Sequence, residues 1–328
     1  MEQIKFAVIG AGMAGLACAA ELPEDDVVIF EQSDRKGGLC KSFAIDGFTF
    51  DNAVHLSFTK QPDALEFFNK TKTIPHPPLA YNFYHGNYLK HPVVNNTSPL
   101  SAEEKTTLIS SLIEREVRQP SNYREWLIAS YGEEFYKTFY SVYTRKYWAE
   151  DAENLTTEWV GGRFANTDIR KILHGSYSEE TGNDYYADTM NYPEAGGYEC
   201  FLNNFPAREI LYNKKLVKLD VADKILAFSD GSEYQYEYLA SSIPLPELVR
   251  ITSETEKLNT ESQKLVATSM SLISVAFNKP DIAKYLWMYI YDEDISAARV
   301  YSPNLKSPNN APKGCSSLQF EIYYNGIV

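Results

Sequence analysis

A glycine loop between two apolar runs constrains the fold more than any other part of this 328-residue sequence. The first run, over 4–9, leads into Gly10, Gly12 and Gly15. Apolar residues at helical spacing follow, and a second apolar run ends at Glu31. This order of strand, glycine turn, helix, strand and acid predicts a βαβ unit that carries a dinucleotide-binding fingerprint.

Each position of the fingerprint has a physical role. Gly10 permits the tight turn, Gly12 lets the backbone approach a pyrophosphate, and Gly15 allows the helix and the strand to pack closely. The start of the helix, at Met13 and Ala14, offers unpaired N–H groups and the positive end of the helix dipole to phosphates. We therefore assign these five residues to a cofactor site.

The segment after the second apolar run bears on the choice between NAD and FAD. Glu31 stands where a carboxylate accepts the ribose hydroxyls of an adenosine. The following stretch, which contains Gln32, Gly37, Gly38 and Leu39, resembles the extended signature of FAD proteins of the amine-oxidase and UDP-galactopyranose mutase superfamily. In that signature a glycine pair follows the acid, and the backbone passes close to the flavin nucleotide. The resemblance implies FAD as the cofactor.

Composition narrows the possible partners. The net charge of −13 and the isoelectric point near 5.0 argue against a nucleic-acid or anionic-membrane partner. The sequence contains no apolar run of membrane-spanning length and opens directly on a predicted strand, so we expect a cytoplasmic protein. The four cysteines form no CxxC pair, which argues against a zinc site or a redox dithiol.

The overall pattern predicts an α/β protein, with a Rossmann-like FAD-binding domain, a helical insertion and a mixed or antiparallel-sheet substrate domain. The FAD-binding domain is expected to be discontinuous, over 1–60 and 193–250. Residues 61–192 are expected to form a largely helical lid or substrate domain, and residues 251–328 a substrate domain built on an antiparallel sheet. Val217, in a predicted strand of the first domain, is also assigned to the cofactor site.

Local signals predict several further elements. An Asp-Gly turn at Asp46 predicts a hairpin over 42–51, and a second hairpin is expected over 81–89 with its turn at Gly86-Asn87. The proline-rich segment 75–78 is expected to interrupt regular structure.

The segment Tyr143 to Trp148 resembles UDP-galactopyranose mutase. Its pattern Tyr-Thr-x-Lys-x-Trp is more specific than the glycine loop, and the similarity runs through most of the chain, including Pro193 to Tyr198. The resemblance implies that reduced FAD attacks the anomeric carbon of a nucleotide sugar and that UDP is expelled. Arginine suits the diphosphate because its planar fork binds phosphate oxygens bidentately.

The resemblance also implies a role for each of six residues. Arg163 and Arg299 would bind the diphosphate, and Tyr143 and Tyr185 would form hydrogen bonds to phosphate or sugar. Trp148 would line the uridine side of the site, and His55 would lie beside the isoalloxazine ring.

The sequence departs from the family pattern in three places. Val54 stands where a glycine is usual, Phe58 replaces a second histidine, and Ala149 replaces the glycine that usually follows Trp148. Relatives normally continue beyond the position of Tyr324 with a segment that completes the flavin site. We therefore expect the chain to lack part of that site.

Three functions remain open at this stage. The first is a UDP-sugar mutase-like flavoenzyme of cell-surface polysaccharide synthesis that acts on a nucleotide sugar. The second is an FAD-dependent oxidoreductase of the amine-oxidase or protoporphyrinogen-oxidase type, acting on another small molecule. The third is an inactive remnant or binding module. A homodimer is possible in each case.

Overall fold

The structure is a computed structural model that describes residues 1–116, 118–161, 168–182, 184, 187–253, 260, 262, 264–282 and 284–326. The strands are β1 Glu2–Ile9, β2 Val27–Phe30, β3 Ser42–Ile45, β4 Phe48–Asp51, β5 Thr73–His76, β6 Ala80–Tyr84, β7 Asn87–Lys90, β8 Met190–Pro193, β9 Glu209–Leu211, β10 Leu216–Asp220, β11 Ile225–Phe228, β12 Glu233–Ser241, β13 Thr268–Phe277, β14 Trp287–Ile290, β15 Arg299–Tyr301 and β16 Ser316–Asn325. The α-helices are α1 Met13–Ala20, α2 Pro62–Asn69, α3 Ala102–Glu114, α4 Tyr123–Tyr131, α5 Glu133–Phe135, α6 Ser141–Trp148, α7 Ile169–Tyr177, α8 Leu245–Ile251 and α9 Pro303–Lys306.

The first sheet has the strand order β10-β11-β12-β1-β2-β9. Its centre is parallel, because β1 pairs in parallel with both β12 and β2, and β2 pairs in parallel with β9. Side chains of β1 enter two different cores: Ala7 and Ile9 pack with Phe30, while Val8 packs with Leu16 of α1. A central parallel strand is buried on both faces, which explains the continuous apolar run in the sequence.

The second sheet has the order β13-β16-β15-β14-β6-β7. It is mixed, since β14 pairs in parallel with β6 and the other pairs are antiparallel. Strands β6 and β7 therefore bring part of the segment 61–192 into the same sheet as the strands after residue 251. The β6–β7 turn falls at His85-Gly86 rather than at the predicted Gly86-Asn87. Asn87 is already paired with Tyr84.

The remaining strands form two small two-stranded sheets. β3 and β4 form the predicted hairpin around Asp46. The prediction that 75–78 lacks regular structure is wrong for its first two residues, because Pro75 and His76 belong to β5 and pair with β8. A two-stranded sheet consists of edges only, and an edge tolerates the missing N–H of proline.

Between α3 and α7 the described residues are largely helical, as predicted. Helix α3 begins with a capping box in which Ser101 and Glu104 bond each other's backbone amides, and such a box satisfies two otherwise unpaired donors. The helices enclose one apolar core that includes Leu112, Leu127 and Phe139. Tyr291, beside β14, belongs to the same core, so these helices pack directly on the second sheet.

Candidate active site

The glycine loop forms an open backbone cradle. Gly10 has φ +97°, and its N–H donates to the Phe30 carbonyl at 2.8 Å, which turns the chain sharply after β1. A Cβ at Gly15 would lie 1.9 Å from the Gly10 carbonyl oxygen, so only glycine permits this contact between helix and strand. A Cβ at Gly12 would meet only the Gly38 Cα at 3.9 Å. Apart from the neighbours of Gly12 in the chain, no side chain of the described residues comes within 4 Å of that Cβ position, and the open space there forms a groove beside Gly12.

Two glycine segments face each other across this groove. The Gly37 N–H donates to the Ala11 carbonyl at 2.8 Å, and Gly12 forms a bridge with Gly37. Gly37 has φ +130° and Gly38 has φ +55°, conformations that favour glycine. Met13 and Ala14 open α1 at the same place, and Leu39 lies exposed at the far side. The cradle fits a pyrophosphate that needs close backbone approach.

Glu31 directly follows β2 beside this cradle and is only 6% exposed. One carboxylate oxygen accepts the Ala11 N–H at 2.8 Å, and the other accepts the N–H of Ser33 at 3.0 Å and its hydroxyl. Burial alone would raise the pKa of Glu31, but the bonds from Ser33 and Ala11 lower it below its ordinary value. Glu31 is therefore an ionised acceptor, as a ribose-binding acid must be. Gln32, the next residue, is exposed.

His55 lies against the same loop. Its Nε2 is 3.1 Å from the Leu39 carbonyl oxygen, which can only accept, so Nε2 carries the proton. The ring also packs on Tyr198, with 4.7 Å between ring centroids. Burial lowers the pKa of His55, while the bond to Leu39 raises it and leaves the net shift downward. The structure thus places a neutral imidazole beside the predicted flavin-binding loop.

Arg299 lies on the second sheet in a row of paired residues. It stands opposite Glu321 on β16 and opposite Tyr289 on β14. Its Nε donates to a Glu321 oxygen at 2.6 Å, and its Nη2 lies 3.2 Å from the Tyr323 hydroxyl, which donates to the same carboxylate. Among the described residues, Nη1 has no hydrogen-bond partner, so part of the guanidinium fork remains available to a ligand.

Glu321 joins the two halves of the candidate site. Its side chain is fully buried, and its second oxygen accepts the Val54 N–H at 3.1 Å. Val54 directly precedes His55. One carboxylate therefore holds both the arginine predicted for the diphosphate and the loop that carries the histidine predicted for the flavin.

Helix α6 supplies the tyrosines and the tryptophan. Tyr143 contacts Tyr289 with ring centroids 5.3 Å apart, and Tyr147 lies below the Arg299 guanidinium at 5.8 Å. Burial raises the pKa of Tyr143 well above its ordinary value, so its phenol stays protonated. Trp148 packs on Tyr147 and is partly exposed. Tyr143 and Arg299 are thus neighbours, while Trp148 borders them on the solvent side.

A second buried ion pair lies close by. The Lys306 ammonium contacts an Asp51 oxygen at 2.5 Å, and both side chains are at most 1% exposed. Asp51 also accepts from Tyr192, Ser42 and the Tyr198 N–H. Asp51 ends β4 four residues before His55, so this cluster anchors the histidine loop.

Three further residues predicted for the site are Arg163, Tyr185 and Val217. Arg163 and Tyr185 lie outside the described residues. Val217 is exposed on β10, which is an edge strand of the first sheet. The residues just before β10 lie beside Glu31, because the Lys214 N–H donates to the Glu31 carbonyl at 2.8 Å. The roles of all three stay predictions.

Sequence reasoning missed four residues of the site: Glu321, Tyr323, Asp51 and Lys306. Two of them, Glu321 and Tyr323, lie in β16, where polar residues alternate with Leu318, Phe320 and Ile322. Such alternation ordinarily indicates one solvent-facing side. Here Ser317, Gln319 and Glu321 on that side are fully buried.

Comparisons with known proteins agree with this geometry. A family model described as an NAD(P)-binding Rossmann-like domain matches residues 8–71. A crystal structure of reduced UDP-galactopyranose mutase superposes with a TM-score of 0.88 at 24% identity, over 98% of this chain and 74% of that one. A protein provisionally assigned as a protoporphyrinogen oxidase, from Exiguobacterium, superposes with a TM-score of 0.72 at 16% identity, over 98% of this chain and 77% of that one.

A curated relative is similar in sequence as well. The dTDP-fucopyranose mutase of Escherichia coli is 25% identical over an alignment of 255 residues, and the match covers 71% of this chain and 65% of that protein. This chain therefore spans just under two thirds of the length of that relative.

The fold is a Rossmann-like dinucleotide-binding fold shared with a UDP-galactopyranose mutase and with a protein provisionally assigned as a protoporphyrinogen oxidase. The resemblance to UDP-galactopyranose mutase predicted from the sequence is confirmed, and so is FAD as the cofactor of this fold. Among the described residues, no helix has the length and hydropathy needed to cross a membrane.

Proposed function

We propose that this chain is the FAD-binding and nucleotide-sugar-binding part of a mutase that rearranges a nucleoside-diphosphate sugar. The observation that carries the proposal is the bridge made by Glu321. One of its oxygens accepts from Arg299 and the other accepts from the Val54 N–H, next to His55. A diphosphate at Arg299 would consequently lie close to a flavin held against the loop of His55.

Different residues of the chain would bind the cofactor and the substrate. The groove beside Gly12, the ionised Glu31 and the start of α1 would hold the dinucleotide, and bound FAD would supply a redox-active ring that is nucleophilic when reduced. Arg299 would use the remaining N–H groups of its fork to neutralise the diphosphate, which becomes the leaving group. Tyr143 would donate a hydrogen bond to phosphate or sugar. The buried Glu321 would keep the guanidinium in one orientation.

An oxidoreductase of the amine-oxidase or protoporphyrinogen-oxidase type is the second candidate. The Exiguobacterium structure favours it, because that fold superposes over nearly the whole chain. Desaturase relatives, such as 4,4'-diapophytoene desaturase of Staphylococcus aureus, match only 15% of this chain. The Arg299 side chain is 17% exposed and has unused N–H groups, which favours an anionic substrate over an apolar one.

The first experiment reconstitutes the purified chain with FAD and records the visible flavin spectrum. The reduced and oxidised proteins are then incubated with UDP-galactopyranose and dTDP-fucopyranose, and the sugars are separated by chromatography. Ring-contracted product from the dithionite-reduced protein alone supports the mutase. Peroxide release with an amine, and no sugar rearrangement, supports the oxidoreductase. A protein that stays colourless with FAD contradicts both enzymatic functions.

A further inference from the structure

The ammonium of Lys146 gathers three backbone carbonyls. Lys146 lies in the last turn of α6, and its Nζ donates to Ile290 O at 3.0 Å, to Asp292 O at 2.6 Å and to Ala297 O at 3.4 Å. An ammonium has three N–H groups and no acceptor. Its hydrogen-bonding capacity is therefore used in full by one segment of main chain.

That segment is the connection between β14 and β15. Ile290 is the last residue of β14, and Ala297 stands two residues before Arg299, which begins β15. The connection is also hydrogen-bonded to β16, because the Ala298 N–H donates to the Glu321 carbonyl at 2.9 Å. The placement of Arg299 along the sheet therefore depends on how residues 291–298 are held.

The same helix carries the tyrosine that faces Arg299. Tyr143 lies one helical turn before Lys146, and its ring contacts Tyr289, the residue paired with Arg299. Lys146 thus connects the backbone that leads into Arg299 to the helix that presents Tyr143. Two further residues of α6 reach this connection: the Tyr143 ring lies 5.8 Å from the Tyr291 ring, centroid to centroid, and the Arg145 guanidinium meets Glu293 at 2.6 Å.

The two neighbouring cations differ in environment. Arg145 and Glu293 are 47% and 66% exposed, and exposed pairs contribute about 0–1 kcal/mol. Lys146 is half-buried and bonds main-chain atoms, whose positions determine where the strand begins. Arg145 is therefore a matched control: it lies in the same helix, has the same charge and contacts the same connection.

We propose that Lys146 is a positioning residue for substrate binding, which sets the Arg299 guanidinium against Tyr143 through the 291–298 connection. The inference rests on the proposed function, in which Arg299 meets the diphosphate. Lys146 itself does not contact the substrate in this arrangement, so its effect is expected on affinity rather than on the presence of the flavin.

The test compares Lys146→Met, Lys146→Gln, Lys146→Arg and Arg145→Met in FAD-loaded protein. UDP is the probe, and its affinity is measured by titration calorimetry. We expect K146M and K146Q to weaken UDP binding about tenfold or more, K146R to recover most of that loss, and R145M to stay within about twofold of the original protein. The FAD content should be equal in all five proteins. K146Q retains an N–H donor and serves where K146M does not fold.

Hydrogen exchange followed by mass spectrometry provides the second readout. K146M and K146Q should accelerate amide exchange in 291–298, while R145M should leave it unchanged. Unchanged exchange and unchanged UDP affinity in K146M would overturn the positioning role. Absence of UDP binding in the original protein would overturn the proposed function, and the exchange of 291–298 would then decide the role of Lys146 independently.

Discussion

Arg299 lies directly opposite Glu321 in the second sheet, with its Nε 2.6 Å from a carboxylate oxygen that is fully buried. The carboxylate has no access to water and depends on this arginine for compensation of its charge. Removing one member of such a pair is expected to cost about 3–5 kcal/mol, because an unpaired charge then stays buried.

Arg299→Met should therefore lower the free energy of unfolding by about 3–5 kcal/mol and abolish measurable UDP binding. The double variant R299M/E321M should recover much of the stability without restoring binding. Urea unfolding and titration calorimetry measure the two effects. Arg250→Met is the control, because Arg250 is 63% exposed in its pair with Glu247 and the loss of that pair should cost less than about 1 kcal/mol. Equal destabilisation by R250M and R299M would contradict the role of the buried pair.

Substitution of Gly12 should affect cofactor binding, whereas substitution of Gly15 should affect the stability of the fold. Gly12 has φ −78° and room for a methyl group, so Gly12→Ala should change stability by less than about 1 kcal/mol. The methyl group would fill the groove, and FAD affinity should fall about tenfold or more. Gly15→Ala should instead destabilise the apoprotein by at least about 1–3 kcal/mol, since its Cβ would overlap the Gly10 carbonyl. Flavin fluorescence and thermal unfolding distinguish the two, and a large stability loss in G12A would contradict this account.

The Asp51 carboxylate should make the free energy of unfolding decrease at low pH. Burial acts to raise the pKa of Asp51, but the charge and hydrogen bond of Lys306 and further bonds from Tyr198 and Ser42 lower it below its ordinary value. A carboxyl with a depressed folded pKa stabilises the fold above its unfolded pKa of about 3.9, and this contribution is lost as the pH falls through the folded value.

Asp51→Asn should remove this acid dependence and lower stability at neutral pH by about 3–5 kcal/mol, because Lys306 would stay buried without its partner and its pKa, which burial already lowers, would fall further. Urea unfolding as a function of pH tests both statements. The double variant D51N/K306M should be more stable than D51N, and an unaltered acid slope in D51N would show that other carboxyls cause it.

Ala149 should be a strained position. It directly follows α6 as its C-cap residue with φ +51°, a left-handed conformation that favours glycine. Ala149→Gly should raise the free energy of unfolding by about 1 kcal/mol, because glycine adopts this conformation without the Cβ clash. Thermal unfolding measures the gain. Asp151→Gly, just beyond the helix and with φ −76°, should give no gain.

The sequence by itself determined the nucleotide half of this protein. The strand, glycine turn, helix and acid lie within 4–31, and each contact among them follows from local periodicity or from the space that a glycine leaves. Resemblance extended this to FAD and to Tyr143, Trp148 and Arg299. These residues belong to segments whose residue types are specific in order and spacing.

Only the tertiary structure decided how the halves meet. The bond between Val54 and Glu321 joins positions 267 residues apart, and no local pattern encodes such a contact. The alternating polar residues of β16 have the pattern of a solvent-facing surface, but the histidine loop covers that face and α6 packs beside it. Their burial turns Glu321 into the anchor of Arg299, because a carboxylate removed from water must find its compensating charge within the protein.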